Sequence, residues 1–184
     1  MRISFHSPLA AALTVVILGV AGSAAWSAAP DAGRVEAIAT MLPEASRGVG
    51  RPIDDRAAWE PVAKSDEAAK TIRQAESLLG TPIPEITDEL FLDYSRTGNR
   101  TRCQSVIGRR RSRLNALVLA ECLENRGRFL PEIEKMLLAT CDEKTWVLPA
   151  HDRGLTNFEG TQITIDLRSS AVGWTLATID YWLA

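Results

Sequence analysis

Leu114-Asn115-Ala116-Leu117-Val118-Leu119-Ala120-Glu121-Cys122-Leu123 reads as a helix with two apolar stripes. Leu114, Leu117, Val118 and Cys122 fall on one face at steps of three and four, while Ala116, Leu119, Ala120 and Leu123 fall on another. A helix that is apolar on two sides must be packed on two sides, so this segment predicts a layered all-α structure. The pattern extends from Thr101 to Asn125 and stops at Gly127.

Working outward, the flanking segments are helical too. Pro131 takes a favoured first-turn position ahead of the stripe Ile133, Met136, Leu137 and Thr140. On the other side, Thr87 starts a helix through Leu90, Phe91 and Tyr94 that Gly98 ends, and Ser65 caps one carrying Ile72, Ala75, Leu78 and Leu79 before Gly80. Asp54 and Asp55 head a short helix through Trp59 that Pro61 limits, and Asp31 to Leu42 forms a first helix ended by Pro43. Trp146 to Ile165 breaks the pattern: Pro149, Gly154, Asn157 and Gly160 make it a long loop of the kind that lines sites, with a short strand at Gln162 to Ile165. Asp166 then caps a last helix with Val172, Leu176, Ile179 and Leu183 on one face and Ala171, Trp174 and Thr178 on another.

Successive helices of similar length joined by short polar turns predict antiparallel helical hairpins. No repeat of fixed motif supports a solenoid. The sequence reaches Trp182, Leu183 and Ala184 without a cap, glycine or polar tail, which predicts a further helix and a chain truncated within its fold.

At the other end, Arg2, the apolar run Leu9 to Val20 and the small residues Ala21 to Ala25 form a signal peptide, assigned to residues 1–25. Ser23 and Ala25 favour cleavage before Trp26, with a second small pair at Ser27 and Ala29. The apolar run falls short of the ~20 residues that cross a bilayer, so the mature chain is expected to have no membrane span and to be secreted or periplasmic. Losing Arg2 takes the formal net charge from −2 to −3, which argues against nucleic acid as a partner. Cys103, Cys122 and Cys141 form no CxxC pair and lie in apolar helical patterns, so they are expected to be small buried hydrophobes rather than metal ligands. His6 lies in the signal peptide, which leaves the mature chain one histidine and no pair for a metal.

Three motifs in order carry a family resemblance. Glu121-Cys122-Leu123-Glu124-Asn125-Arg126-Gly127-Arg128-Phe129-Leu130, then Thr145-Trp146-Val147-Leu148-Pro149-Ala150-His151-Asp152, then Thr164-Ile165-Asp166-Leu167 together resemble the N-terminal helical domain of heparinase II/III-like proteins. The similarity spans residues 101–184, with the earlier helices fitting the same domain less distinctly. The resemblance implies that residues 31–184 form part of an incomplete α/α toroid, which β-sandwich sheets follow in such proteins. It also implies a carbon–oxygen lyase chemistry, β-elimination at a uronic acid. A base removes the C5 proton while the carboxylate is neutralised, because the enolate-like charge is otherwise too unstable. In the family an Asn, His or Arg neutralises and a Tyr or His moves protons, from later helices and the sheet domain. None of these positions has a match before Ala184. The expectation is therefore an exported lyase fragment with no catalytic residue and no cofactor, inactive alone; the alternative is a non-catalytic helical module that binds acidic glycans or envelope partners.

Trp146, His151 and Asp152 are the candidate substrate-binding residues, since an indole stacks on a sugar face while His and Asp bond its hydroxyls or carboxylate. The plainer alternative is that they fix the loop to the helix ends. Arg96, Arg100, Arg102, Arg109, Arg110, Arg111 and Arg113 suit an acidic polysaccharide, although a solvated helix face with ion pairs to acidic neighbours is the more ordinary reading of such a run. Tyr94 and Tyr181 lie in apolar stripes and read as packing residues; Ser169 and Ser170 lack the elbow of a serine hydrolase.

Overall fold

The structure, a computed structural model, describes residues 31–41 and 49–184; residues 1–25, read above as a signal peptide, and Pro43 lie outside the described residues. Every regular element among the described residues is helical, with seven α-helices, one 3-10 turn and no strand. The chain divides into two units, Met1–Ser46 and Arg47–Ala184. In the first lies α1 (Ala32–Ala39), begun by Asp31, which accepts from Arg34 N at 3.0 Å.

The second unit holds α2 (Arg56–Ala63), α3 (Asp66–Leu78), α4 (Asp88–Thr97), α5 (Thr101–Glu124), α6 (Leu130–Cys141) and α7 (Leu167–Leu183). Asp55, Ser65 and Thr87 begin α2, α3 and α4 by accepting from Ala58 N, Ala68 N and Leu90 N, which satisfies first-turn donors that have no helical partner. Pro61 does not end α2 as expected but lies inside it. In so short a helix the proline forfeits its own N–H bond, and the buried Trp59 still anchors the element.

The two-striped segment is the centre of this unit. α5 packs against α2, α3, α4, α6 and α7, and its Leu117, Ala120 and Cys122 are wholly buried. Around them the core gathers Trp59 and Ala75 from the preceding helices, Ile133 and Met136 from α6, and Ile179 from α7. Each such large apolar side chain contributes roughly 1.5–3 kcal/mol on full burial. The end of α5 is sealed by polar groups: Asn125 turns left-handed at φ 52°, and the buried Glu121 carboxylate accepts from Gly127 N at 2.5 Å and Phe129 N at 2.9 Å. Arg56 reaches across to the last carbonyls, donating to Cys122 O at 2.7 Å and Leu123 O at 3.0 Å.

The far end of α7 is tied down by Trp182. Its ring meets Trp59 edge-on at 5.9 Å, and its Nε1 donates to Val49 O at 2.6 Å. Gly50, at φ 89°, passes so close that a Cβ there would lie 2.8 Å from that nitrogen. The start of α7 is different. Leu167 and Trp174 are exposed, and between α5 and α7 an open apolar groove of about 260 Å³ is lined by Ile107, Leu114, Leu148, Val172 and Leu176, among others.

Candidate functional site

The long loop between α6 and α7 is organised by two carboxylates. Asp166 caps α7, with Oδ1 accepting from Arg168 N at 3.0 Å and Ser169 N at 2.8 Å, while Ser169 Oγ accepts in return from Asp166 N. Its Oδ2 reaches back across the loop to Leu148 N at 2.9 Å and His151 Nδ1 at 2.8 Å. Burial pushes the Asp166 carboxyl up, but the bonds from Ser169, Leu148 and His151 outweigh it and hold it below its ordinary value. An ionised carboxylate only accepts, so Nδ1 of His151 carries the proton. In the neutral ring Nε2 is then an acceptor on a partly exposed side chain.

Asp152 does its work inside the loop. It is 2 % exposed, and its oxygens accept from Asn157 N, Asn157 Nδ2 and Phe158 N at 3.2, 3.1 and 2.8 Å. Phe158 stacks on Phe91 of α4 with centroids 5.1 Å apart, and Lys144 lies over the same ring while pairing with Asp88 at 2.5 Å. Trp146 is partly buried, and its Nε1 donates to Thr140 O at 2.8 Å. Of the three candidate residues, then, His151 is partly exposed with no partner for Nε2 among the described residues, Trp146 is half-buried, and Asp152 is enclosed.

The arginine run separates into two groups. Arg96, Arg100, Arg102, Arg109 and Arg111 are exposed. Arg110 and Arg113 are buried, which the surface reading of the run does not anticipate. Arg110 donates to Pro84 O and Ala139 O and pairs with Glu143 at 3.2 Å; Glu143 also pairs with Arg168 at the start of α7. Arg113 donates to Thr81 Oγ1 at 2.7 Å, to the carbonyls of Leu78, Thr81 and Pro82, and to Glu132. Both guanidiniums tie α5 to the segments after α3 and to α6 through backbone carbonyls and a carboxylate. A signal for this exists in the sequence: Arg110 and Arg113 continue the stripe of Cys103, Val106, Leu114 and Leu117 at helical spacing. For the Asp166–His151 bond, 15 residues apart in a loop, there is no such signal.

Cys103 and Cys122 are buried, but Cys141 is exposed at the end of α6, against the expectation of three buried thiols. Burial pushes the Cys122 thiol up to about 12. Tyr94 and Tyr181 are partly buried in their helices. Gln162 to Ile165, expected as a short strand, forms no strand among the described residues. Among the described residues no group of three or more His, Cys, Asp or Glu is placed to hold a metal ion, and no helix is long and apolar enough to cross a membrane. No family model and no curated protein matches the chain.

Proposed function

We propose that the chain is the N-terminal helical part of an exported polysaccharide lyase of the heparinase II/III type, acting by β-elimination on uronic-acid-containing glycans. In this reading its helices form part of an incomplete α/α toroid. The groups that neutralise the uronate and move its C5 proton come from the rest of the toroid and a β-sandwich domain, so this chain alone is inactive. The observation that carries the reading is the one-sided packing of α7, which buries Ile179 but leaves Leu167 and Trp174 exposed beside an apolar groove. A further helix of a toroid would cover such a surface.

The glycan contact is assigned to the Trp146–Asp152 loop. Asp152 holds the loop from within, the Asp166-oriented His151 offers Nε2 to a sugar hydroxyl or, protonated, its charge to a carboxylate, and the open part of the Trp146 ring offers an apolar face. A second reading, a non-catalytic exported module for acidic glycans, is favoured by the exposed arginines Arg109 and Arg111 on α5. Sequencing the gene past the codon for Ala184 separates the two. Further helices bearing an Asn or His and a Tyr, then a β-rich domain, support the lyase; a stop codon at that point supports the module.

A further inference from the structure

Two helix faces meet at the groove between α5 and α7. Ile107, Arg110, Arg111 and Leu114 share one side of α5, and Arg168, Ala171, Val172 and Thr175 share one side of α7. Glu143, just after α6, also lines the groove and pairs with Arg110 at 3.2 Å and with Arg168. The charges of this lining do not balance. Arg110, Arg111 and Arg168 bring three positive charges against the single negative charge of Glu143, which leaves a net charge of +2. Arg110 and Arg168 are each 9 % exposed, share that one carboxylate, and have Nε atoms without a partner among the described residues. Arg111 is exposed, and no carboxylate among the described residues pairs with it. The rest of the lining is apolar in effect, because the hydroxyls of Thr140 and Thr175 are spent on the carbonyls of Met136 and Ala171 in their own helices.

We propose that the groove is a binding site for a medium-chain alkyl carboxylate, whose chain lies between α5 and α7 and whose anionic head meets Arg111. Charge complementarity selects the head. A neutral apolar body leaves the excess positive charge unanswered, and a cation is repelled by it. Volume sets the length: at roughly 30 Å³ per water-sized group, a groove of about 260 Å³ takes about nine carbons of chain. Ile107, Leu114, Leu148, Val172 and Leu176 supply the apolar contact, and the two buried guanidiniums add an attractive field from within the wall. An apolar helix laid over Leu167 and Trp174 would cover those side chains but leave Arg111 without an anion. The site is also separate from the glycan loop, since none of Trp146, His151 and Asp152 lines it.

Titration calorimetry of the full chain with decanoate tests this, with saturable binding of one ligand per chain expected at a dissociation constant on the order of 100 µM. Decanol, which keeps the chain and loses the charge, is expected to bind at least about fivefold more weakly, and decyltrimethylammonium more weakly still. Arg111→Gln, at an exposed position, is expected to weaken decanoate about three- to fivefold and to leave decanol unchanged. Ala171→Phe fills the groove and is expected to abolish binding of both with helical circular dichroism unchanged. No saturable binding of decanoate overturns the proposal, as does decanol or decyltrimethylammonium binding as tightly. So does an affinity for decanoate that Arg111→Gln leaves unchanged, or one that survives in folded Ala171→Phe. A chain that sediments as a dimer and binds no decanoate gives the groove to a second copy, which overturns it as well.

Discussion

Arg113 of α5 and Glu132 of α6 form an ion pair inside the protein, with Nη2 3.2 Å from Oε2 and both side chains nearly sealed from water. The pair is one part of a larger arrangement, because the same guanidinium also donates to the carbonyls of Leu78, the last residue of α3, and of Thr81 and Pro82 after it. Removing the arginine takes a donor from the Thr81 and Pro82 carbonyls and leaves Glu132 paired with Lys135, while Leu78 O keeps Thr81 N and Thr81 Oγ1. Arg113→Met is predicted to destabilise the protein by about 1–3 kcal/mol in urea unfolding. Arg113→Lys is predicted to recover only part of this, since an ammonium lacks the planar fork.

Gly50 is predicted to tolerate no side chain. At φ 89° an L-residue is strained, and its Cβ would meet the Trp182 indole at 2.8 Å. Gly50→Ala should cost about 1–3 kcal/mol and shift the tryptophan fluorescence as Trp182 moves from Trp59. An unchanged melting temperature and spectrum would show that the Val49–Trp182 contact contributes nothing.

Thiol titration of the native chain should label one cysteine rapidly. Cys141 is exposed, while Cys103 and Cys122 are buried, and burial pushes both buried thiols up. Denaturant should release the other two of the three. Mass mapping of the native adduct to Cys103 or Cys122 would contradict the packing of α5.

Asp166→Asn is predicted to lower stability by about 1–3 kcal/mol at neutral pH, because one amide oxygen cannot serve both the α7 cap and the bonds to Leu148 and His151. Its carboxyl lies below the ordinary value in the folded chain. The stabilisation is therefore present above the ordinary carboxylate range and is lost as pH falls through the lowered folded value. Unfolding curves of the two proteins should converge toward acid; a constant gap down to that pH would contradict the assignment.

The helices were readable because their signals are local. Ser65, Thr87 and Asp166 announce helix starts by residue type, and the two stripes of Leu114 to Leu123 announce burial on two sides. What escaped depends on neighbours distant in the chain. Arg110 is buried because Glu143 and the Pro84 and Ala139 carbonyls meet it, and a run of arginines does not reveal such partners. Cys141 falls at the end of its helix, where apolar periodicity no longer decides exposure. In the loop, the sequence singled out Trp146, His151 and Asp152 together, but the enclosure of Asp152 depends on Asn157 and Phe158 folding back over it. Gln162 to Ile165, read as a short strand, forms none among the described residues, since pairing requires a second chain segment that periodicity cannot supply.

Incubating the chain with several uronate polysaccharides, while following both binding and the absorbance of unsaturated uronate, tests the central claim most directly. The account predicts saturable, salt-sensitive binding that His151→Ala weakens several-fold, with no rise in absorbance. Elimination products formed by this chain alone, or binding to none of the polysaccharides, would contradict it.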